Sequence, residues 1–306
     1  MTPSPVVSVL CTVYNAEPFL GQTILSVLSQ TFQQWEMIIV DDASTDQSKM
    51  IARSFDDPRI KVIELPTNVG RTMALNTGLQ FCKGEFIAIL DADDVAGSKR
   101  LIRQVEFLNA HPDYGVVASW STVIDEAGTE IGRHQPLLNA AELYQYLGWC
   151  DPLVHSSFMW RNQTLESIGG YGGPSGVEDH YALIEISQTA LIGIVPEDLV
   201  CYRHVKSSLS HSTIGTQRHL EHQLLVLREA KQSLNLNSES LRRNRRIRSL
   251  LLIRLGLAKV RTGAFIDGSL HLTKGILLDP MILFYPFRTK EWDNRWHPQR
   301  QFSFLD

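Results

Sequence analysis

Glycine-rich phosphate loops are missing from this chain of 306 residues: neither G-x-x-x-x-G-K-[ST] nor a G-x-G-x-x-G after the first apolar run is present. That absence argues against a P-loop enzyme and weakens a dinucleotide-binding Rossmann reading, in which hydride transfer would be the chemistry. Cysteine is sparse as well. Cys11, Cys82, Cys150 and Cys201 are scattered, show no C-x-x-C spacing, and read as reduced core thiols of a cytosolic protein. No apolar run reaches the ~18 residues of a spanning helix. The opening "MTPSPVVSVL" lacks a basic region followed by a long apolar one, so a first strand rather than a signal peptide is expected there. Charge of one sign is not in excess, the net value being -4, which gives no overall case for nucleic-acid binding. No internal repeat and no low-complexity linker is visible. With 43% hydrophobic and 20% charged residues, a packed globular core is expected.

The first ~120 residues alternate between two periods. Apolar, β-branched runs at 6–14, 35–40, 60–65 and 85–90 read as strands. Between them "FLGQTILSVLSQ", with Leu20, Ile24, Val27 and Leu28 at helical spacing, "STDQSKMIARSF" and "TMALNTGLQFC" read as helices. Ser44 or Thr45 is placed to cap the second helix. "SKRLIRQVEFLNA" and "YGVVASWSTVI" continue the pattern as a helix and a strand. This order predicts an α/β fold with a mostly parallel sheet covered by helices on both faces. "DEAGTEIG" predicts a hairpin turn at Gly128, residues 136–180 read as irregular structure over the strand ends, and a strand resumes near 195–204. From ~214 onward the period is helical, the last two segments forming a helical hairpin.

In parallel sheets ligands bind beyond the carboxyl ends of the strands. The polar residues gather there: Thr12, Tyr14 and Asn15 after the first strand, Asp41 and Asp42 after the second, Asn68, Gly70 and Arg71 after the third, and Asp91, Asp93 and Asp94 after the fourth. Carboxylates side by side repel one another, and a hard divalent cation, Mg²⁺ or Mn²⁺, offsets that repulsion while taking further oxygens from substrate phosphates. The same acids also fit a plainer role, capping the next helix or pairing with Lys99 and Arg100.

Several segments, in this order and spacing, resemble family 2 inverting glycosyltransferases of the GT-A fold. They are "VSVLCTVYNAEPFLGQTILSVLSQTFQQWEMIIVDDASTD", "NVGRTMALNTGL", "GEFIAILDADD", "DPLVHSSFMWR" with "GGY", "VEDH", and "CYRHVKSSLS". The resemblance covers most of the first ~210 positions. It implies a GT-A domain over 1–212, with a nucleotide-sugar half (1–120) and an acceptor half (121–212), followed by a helical region at 213–306. It implies a nucleotide-sugar pocket lined by Thr12, Tyr14 and Glu17, with Asp42 accepting a hydrogen bond from the base and Arg71 along the nucleotide or diphosphate. Asp91 would face the ribose and metal waters. Asp93 and His204 would ligate the cation, His204 otherwise reading as a satisfied strand histidine. Asp179 would be the general base, with Glu178 supporting it; both also fit the plain role of acids at a helix N-terminus. His155 would lie on the acceptor side.

The reaction so implied transfers a sugar, with inversion, from a nucleotide-diphosphate donor, most simply a UDP-sugar, to a hydroxyl of a saccharide or lipid-linked acceptor in cell-envelope or exopolysaccharide synthesis. The alternative is a non-catalytic member that binds nucleotide-sugar or glycan. Relatives often carry an Asp, an aromatic and an Arg on the helix after the Glu-Asp motif, where this chain has Tyr181, Leu183 and Glu185. Residues 241–261 hold Arg242, Arg243, Arg245, Arg246, Arg248, Arg254, Lys259 and Arg261 and no acid. Such a segment fits either a solvated basic face or peripheral contact with anionic lipid at the inner face of the plasma membrane, for a protein that is otherwise cytoplasmic.

Overall fold

The structure, a computed structural model, describes residues 4–205 and 217–280. Its centre is a run of four parallel strands, β1 (Val7–Val13), β2 (Trp35–Asp41), β3 (Ile60–Glu64) and β4 (Phe86–Ile89), in the order 3-2-1-4. The crossovers are α1 (Leu20–Leu28), α2 (Ser48–Arg53) and α3 (Arg71–Leu79). The strands read as unbroken apolar runs because both faces are buried. Leu10, Ile38, Val40, Ile87 and Ile89 enter one core with Ala74 and Leu75 of α3. The alternate residues Val9, Cys11, Met37, Ile39 and Ala88 enter another with Leu20, Ile24 and Val27 of α1.

The rest of the sheet is not parallel throughout. β5 (Val95–Ala96), β6 (Tyr114–Ile124), β7 (Glu130–His134), β8 (Met159–Arg161) and β9 (Leu191–Arg203) extend it to nine strands in the order 3-2-1-4-8-6-9-5, with β7 paired on β6. β6 and β9 run parallel, whereas β8 meets both β4 and β6 antiparallel, as β5 meets β9 and β7 meets β6. The mostly parallel sheet expected from the sequence is therefore a parallel half joined to a mixed half, still flanked by helices. The expected turn between β6 and β7 is present, with Gly128 at φ +87°, where a Cβ would be strained.

The stretch 136–180 is more ordered than its composition suggests. It contains α5 (Ala140–Tyr146), a 3₁₀ turn (His155–Ser157), β8, α6 (Asn162–Ser167) and the start of α7 (Glu178–Ile186). β8 is too short to show a period, and its place between β4 and β6 is set by long-range pairing. α4 (Arg100–Ala110) packs beneath it. The expected cap on α2 also differs. Asp46 Oδ1 accepts from Ser48 N at 3.0 Å, while Ser44 and Thr45 turn toward Asn15.

Beyond the main sheet, α8 (Gln217–Ser233), α9 (Ser238–Arg261) and α10 (Phe265–Leu278) follow. α9 and α10 form the expected hairpin and cross closely. A Cβ on Gly256 would lie 2.7 Å from Gly268 O, so the two backbones touch where side chains are missing. α8 joins the helices to the body, with Val226 and Ala230 in the larger core. All four cysteines are free, Cys11 and Cys150 being buried.

Candidate active site

The carboxyl ends of β1 to β4 share one rim, and the loops that leave it are tied together by their own side chains. After β1, Asn15 Oδ1 accepts from Thr45 N at 2.8 Å, and Ala16 N donates to Ser48 Oγ at 2.8 Å. Glu17 N donates to Asp46 Oδ2 at 3.0 Å, while Glu17 Oε2 accepts from Gln47 N at 3.1 Å. Asn15 and Ala43 adopt positive φ (53° and 58°), and for an alanine that conformation is strained. Tyr14 stands out of this seam half exposed, and Thr12 lies half-buried at the end of β1 opposite Val40. The expected pocket residues Thr12, Tyr14 and Glu17 are thus brought to one rim, with Glu17 also bracing α2.

Asp42 is buried, and its two oxygens accept from Val69 N at 2.7 Å and Gly70 N at 2.9 Å. It fixes the loop that enters α3; a base ring contacting it would have to use its remaining lone pairs. A shallow depression of about 310 Å³, lined by Ala43, Ser44, Lys49, Glu64, Leu65 and Pro66, opens beyond β2 and β3. It lies two strands away from the acids after β4 and flanks them rather than enclosing them.

Three arginines surround Asp91, Asp93 and Asp94. Arg71, the first residue of α3, donates from Nη2 to Asp91 Oδ1 at 2.5 Å. Burial opposes the charge of Asp91, but the guanidinium outweighs it and holds the carboxyl below its usual range. Arg203, at the end of β9, donates its backbone N–H to Asp94 Oδ1 at 2.7 Å and its Nε to Asp93 O at 2.8 Å. Its Nη2 reaches Gln22 Oε1 at 2.6 Å, which links the acid tip to α1. Arg100 lies fully buried below, donating to Ile89 O at 2.8 Å and Phe158 O at 3.1 Å. Burial lowers its pKa to about 9, and the neighbouring Asp94 and Asp91 support its charge. Asp94 itself is pushed well above the carboxylate range by burial and by Asp93 and Asp91. Part of the acidic cluster therefore plays the plain structural role that its spacing also allowed.

Asp93 differs from its neighbours. Among the described residues no hydrogen bond from another residue reaches its carboxylate, and burial followed by the charge of Asp91 raises its pKa to about 6. A half-buried carboxylate for which Arg71 and Arg203 do not offset burial and Asp91 fits a hard cation. His204 follows Arg203 directly, so the bonds that tie Arg203 to Asp93 and Asp94 bring it to the same end of the sheet; its N–H donates to Ile124 O at 2.8 Å. Among the described residues no three acidic, histidine or cysteine side chains converge ready to hold a metal. A cation here would therefore complete its shell with phosphate oxygens and water, as Mg²⁺ and Mn²⁺ do.

The raised pKa makes a stability prediction. An Asp93 that binds its proton more tightly when folded weakens the free protein as pH rises from about 4 to about 6, and the deficit stays constant above that. Asp93→Asn is expected to stabilise the metal-free protein at pH 7 by about 2–3 kcal/mol. The gain should fade as pH approaches 4, read by urea denaturation at both values. An equal stability of the two proteins at pH 7 would contradict the assignment.

Arg71 also reaches across the rim. Its Nη2 lies 2.5 Å from His155 Nδ1, and its Nε lies 3.2 Å from Glu178 Oε1 as an ion pair. A guanidinium only donates, so His155 Nδ1 accepts and its proton sits on Nε2, which donates to Tyr171 OH at 2.9 Å. Burial, then Arg71, lowers the His155 pKa to about 4, which keeps the ring neutral. Glu178 is buried, with Oε2 accepting from Gly176 N and Oε1 facing Arg71. His155 and Glu178, expected on the acceptor and catalytic sides, are thus both brought to Arg71. Asp179 is half-buried at the start of α7, where Oδ1 accepts from His180 N at 2.8 Å, the helix-terminal role its position also allowed.

The family model of glycosyl transferase family 2 matches residues 8–169, more than half of the chain, from β1 through the acids after β4 to His155. The chain belongs to glycosyl transferase family 2. Relatives in this family include the Bacillus subtilis protein EpsE, named as a glycosyltransferase, 36% identical over 174 residues that cover 56% of this chain and 62% of EpsE. Another is the Escherichia coli UDP-Glc:alpha-D-GlcNAc-diphosphoundecaprenol beta-1,3-glucosyltransferase WfgD, 37% identical over 102 residues, 33% of this chain and 40% of WfgD. The chain thus spans less than two thirds of the length of either relative. Among solved structures, Staphylococcus aureus TarS 1-349 in complex with UDP-GlcNAc aligns over 90% of this chain and 82% of its own at 19% identity, with a TM-score of 0.64. Mannosyltransferase PcManGT from Pyrobaculum calidifontis, in complex with GDP-Man and Mn²⁺, aligns over 92% and 84% at 21% identity, with a TM-score of 0.60. At these identities the two share the fold, the GT-A architecture expected from the sequence.

Sequence reasoning passed over Arg203 as a site residue and took Arg100 only as an ion-pair partner of the acids. Arg203 sat inside the "YRH" segment and was legible as part of it; Arg100 had no signal beyond its place after the acids.

Proposed function

We propose that this family 2 member is an inverting, metal-dependent hexosyltransferase that moves a sugar from a nucleotide-diphosphate donor, a UDP-sugar foremost, to a hydroxyl of a saccharide or lipid-linked acceptor. The observation that carries this reading is Arg71, which joins Asp91 of the acidic tip that also holds Asp93 to Glu178 at the start of α7, beside Asp179. The relatives' names point to cell-envelope acceptors, WfgD by its diphosphoundecaprenol substrate.

Thr12, Tyr14, Glu17 and Asp42 would form the nucleotide side, Arg71 would lie along the nucleotide or diphosphate, and Asp91 would face the ribose and metal waters. Asp93 and His204 would hold a divalent cation, Mg²⁺ or Mn²⁺, which when bound supplies positive charge against the departing diphosphate oxygen. The acceptor hydroxyl is a poor nucleophile until its proton is taken, and Asp179 stands at the start of α7 to take it. Glu178, held by Arg71, keeps that turn in place, and His155 steadies Arg71 from below. A single displacement then inverts the anomeric carbon.

Part of the basic run 241–261 is engaged in packing: Arg246 pairs with Asp279 at 3.4 Å, Lys259 with Asp267 at 2.8 Å, and Arg243 lies over Trp149. Arg242, Arg245, Arg254 and Arg261 remain exposed for contact with anionic lipid; among the described residues no helix is long and apolar enough to cross a membrane. Flotation with anionic liposomes at low salt tests that contact, and absence of binding removes it. The transferase reading is tested by thermal shift with UDP-glucose, UDP-GlcNAc and GDP-mannose, each with and without Mn²⁺. A metal-dependent rise in melting temperature with one of them is the expected result. No response to any of them would refute the donor assignment, and binding without nucleotide release would favour a non-catalytic member.

A further inference from the structure

We propose that Tyr171 is a positioning residue for Arg71: acting through His155, its hydroxyl holds the guanidinium in the orientation that meets the donor. The proposal rests on the transferase reading above, in which Arg71 lies along the nucleotide or diphosphate. Four side chains close a ring of contacts on α3. Arg71 opens that helix, and its Nη2 meets His155 Nδ1 at 2.5 Å. His155 Nε2 meets Tyr171 OH at 2.9 Å. Asn76, further along α3, grips the Tyr171 backbone both ways: Nδ2 donates to Tyr171 O and Oδ1 accepts from Tyr171 N, each at 2.8 Å. Gly170 permits that grip, since its φ is +85° and a Cβ there would lie 2.6 Å from Asn76 Oδ1. Tyr171 is thus anchored to α3 by its backbone and returns to the first residue of α3 through its hydroxyl.

The side-chain bonds run in one direction. Both hydrogens of Arg71 Nη2 are used, one on Asp91 Oδ1 at 2.5 Å and the other on His155 Nδ1. The Nη1 group takes part in neither bond and is the one left for a phosphate oxygen. This orientation needs the His155 proton on Nε2, because a proton on Nδ1 would face an Arg71 N–H, and two donors repel. Burial, then Arg71, keeps the ring neutral, and a neutral imidazole can carry its proton on either nitrogen.

The Tyr171 hydroxyl decides between the two. Tyr171 and His155 are 3% and 7% exposed, so without the hydroxyl the Nε2–H would stay buried and unpaired. The aromatic packing does not need it: the rings of Tyr171 and His155 meet edge to face, 5.4 Å between centroids at 87°, a contact that a phenylalanine would keep.

The test uses the full chain with Tyr171→Phe, which retains the ring and removes the hydroxyl. In ¹⁵N-labelled protein without ligand, two-bond ¹H–¹⁵N spectra of the wild type should show His155 as a single Nε2–H tautomer. Tyr171→Phe should shift that ring and also the Arg71 guanidinium signals, which the hydroxyl does not touch; this measurement needs no turnover. In nucleotide release, Tyr171→Phe should raise donor KM about five-fold, the scale of one hydrogen bond, with kcat within about two-fold. In a His155→Leu background the same substitution should raise donor KM no further. A hydroxyl that served packing alone would lower the melting temperature and leave donor KM and the Arg71 signals where they were. If the wild-type protein releases no nucleotide from UDP-glucose, UDP-GlcNAc or GDP-mannose with Mn²⁺, the transferase reading fails and the spectra alone judge Tyr171. Arg71 signals unchanged by Tyr171→Phe, or an unchanged donor KM, overturns the proposal.

Discussion

Asp179→Asn is expected to lower the rate of nucleotide release by ~10²–10⁴-fold, the range for loss of a general base, while donor binding stays as it was. The substitution separates the two roles that this position allows. As a helix-terminal residue Asp179 accepts from His180 N through Oδ1, and Asn keeps that oxygen. Asn and Asp are near equals at helix N-termini, so the start of α7 and the melting temperature should hold. What Asn cannot do is take a proton from an acceptor hydroxyl. Measuring release with the donor saturating, and donor affinity in parallel by calorimetry, isolates that loss. Equal rates in the two proteins would leave Asp179 with the helix-terminal role only.

Arg71→Met should have the largest effect on stability, about 3–5 kcal/mol at pH 7, because it removes one partner from a buried charge network. Arg71 pairs with Asp91 at 2.5 Å and with Glu178 at 3.2 Å, and the Glu178 side chain is only 4% exposed. Without the guanidinium both carboxylates stay buried with no counter-charge from that side, and His155 Nδ1 loses its donor. The pH dependence follows in sign from Asp91, whose pKa Arg71 holds below the usual value. That contribution is fully present above the unfolded carboxylate pKa of about 4 and is lost as pH falls through the lower folded value. The gap between wild type and Arg71→Met should therefore be widest near neutrality and narrow below about pH 4, when the stranded carboxyls take up protons. Arg71→Lys should recover little, since one ammonium cannot serve partners on two sides as the planar fork does. Urea denaturation at pH 7 and pH 3.5 reads both statements, and an unchanged midpoint at pH 7 would show that the network contributes nothing.

Much of the rim was legible because local rules place it. Unbroken apolar runs of four to seven residues between helical periods specify parallel strands, and strand ends in such sheets deliver polar residues to one edge. The acids after β4 and the "YRH" at the end of β9 could be picked out on those grounds together with the family resemblance. The stretch 136–180 was not legible: β8 is three residues long, and only its pairing with β4 and β6 makes it a strand. Ser44 and Thr45 have the chemistry of caps, yet the seam to Asn15 uses them first. Local propensity yields wherever a long-range partner offers a better bond.

The order of residues along the chain settled the α/β alternation, the helical tail, and which side chains would stand at the strand ends, because each depends on a period of two or 3.6 and on residue chemistry alone. The charge states were settled only in three dimensions. Asp91, Asp93 and Asp94 are near neighbours of one residue type, yet one is held ionised by Arg71, one is raised by burial and Asp91 beyond what Arg71 and Arg203 offset, and one is pressed toward its neutral form beside Arg203. Arg71 and Arg203 arrive from α3 and β9, far along the chain in opposite directions. Burial and the distance to a counter-charge exist only once those elements have packed, and they decide which carboxyl can serve a ligand.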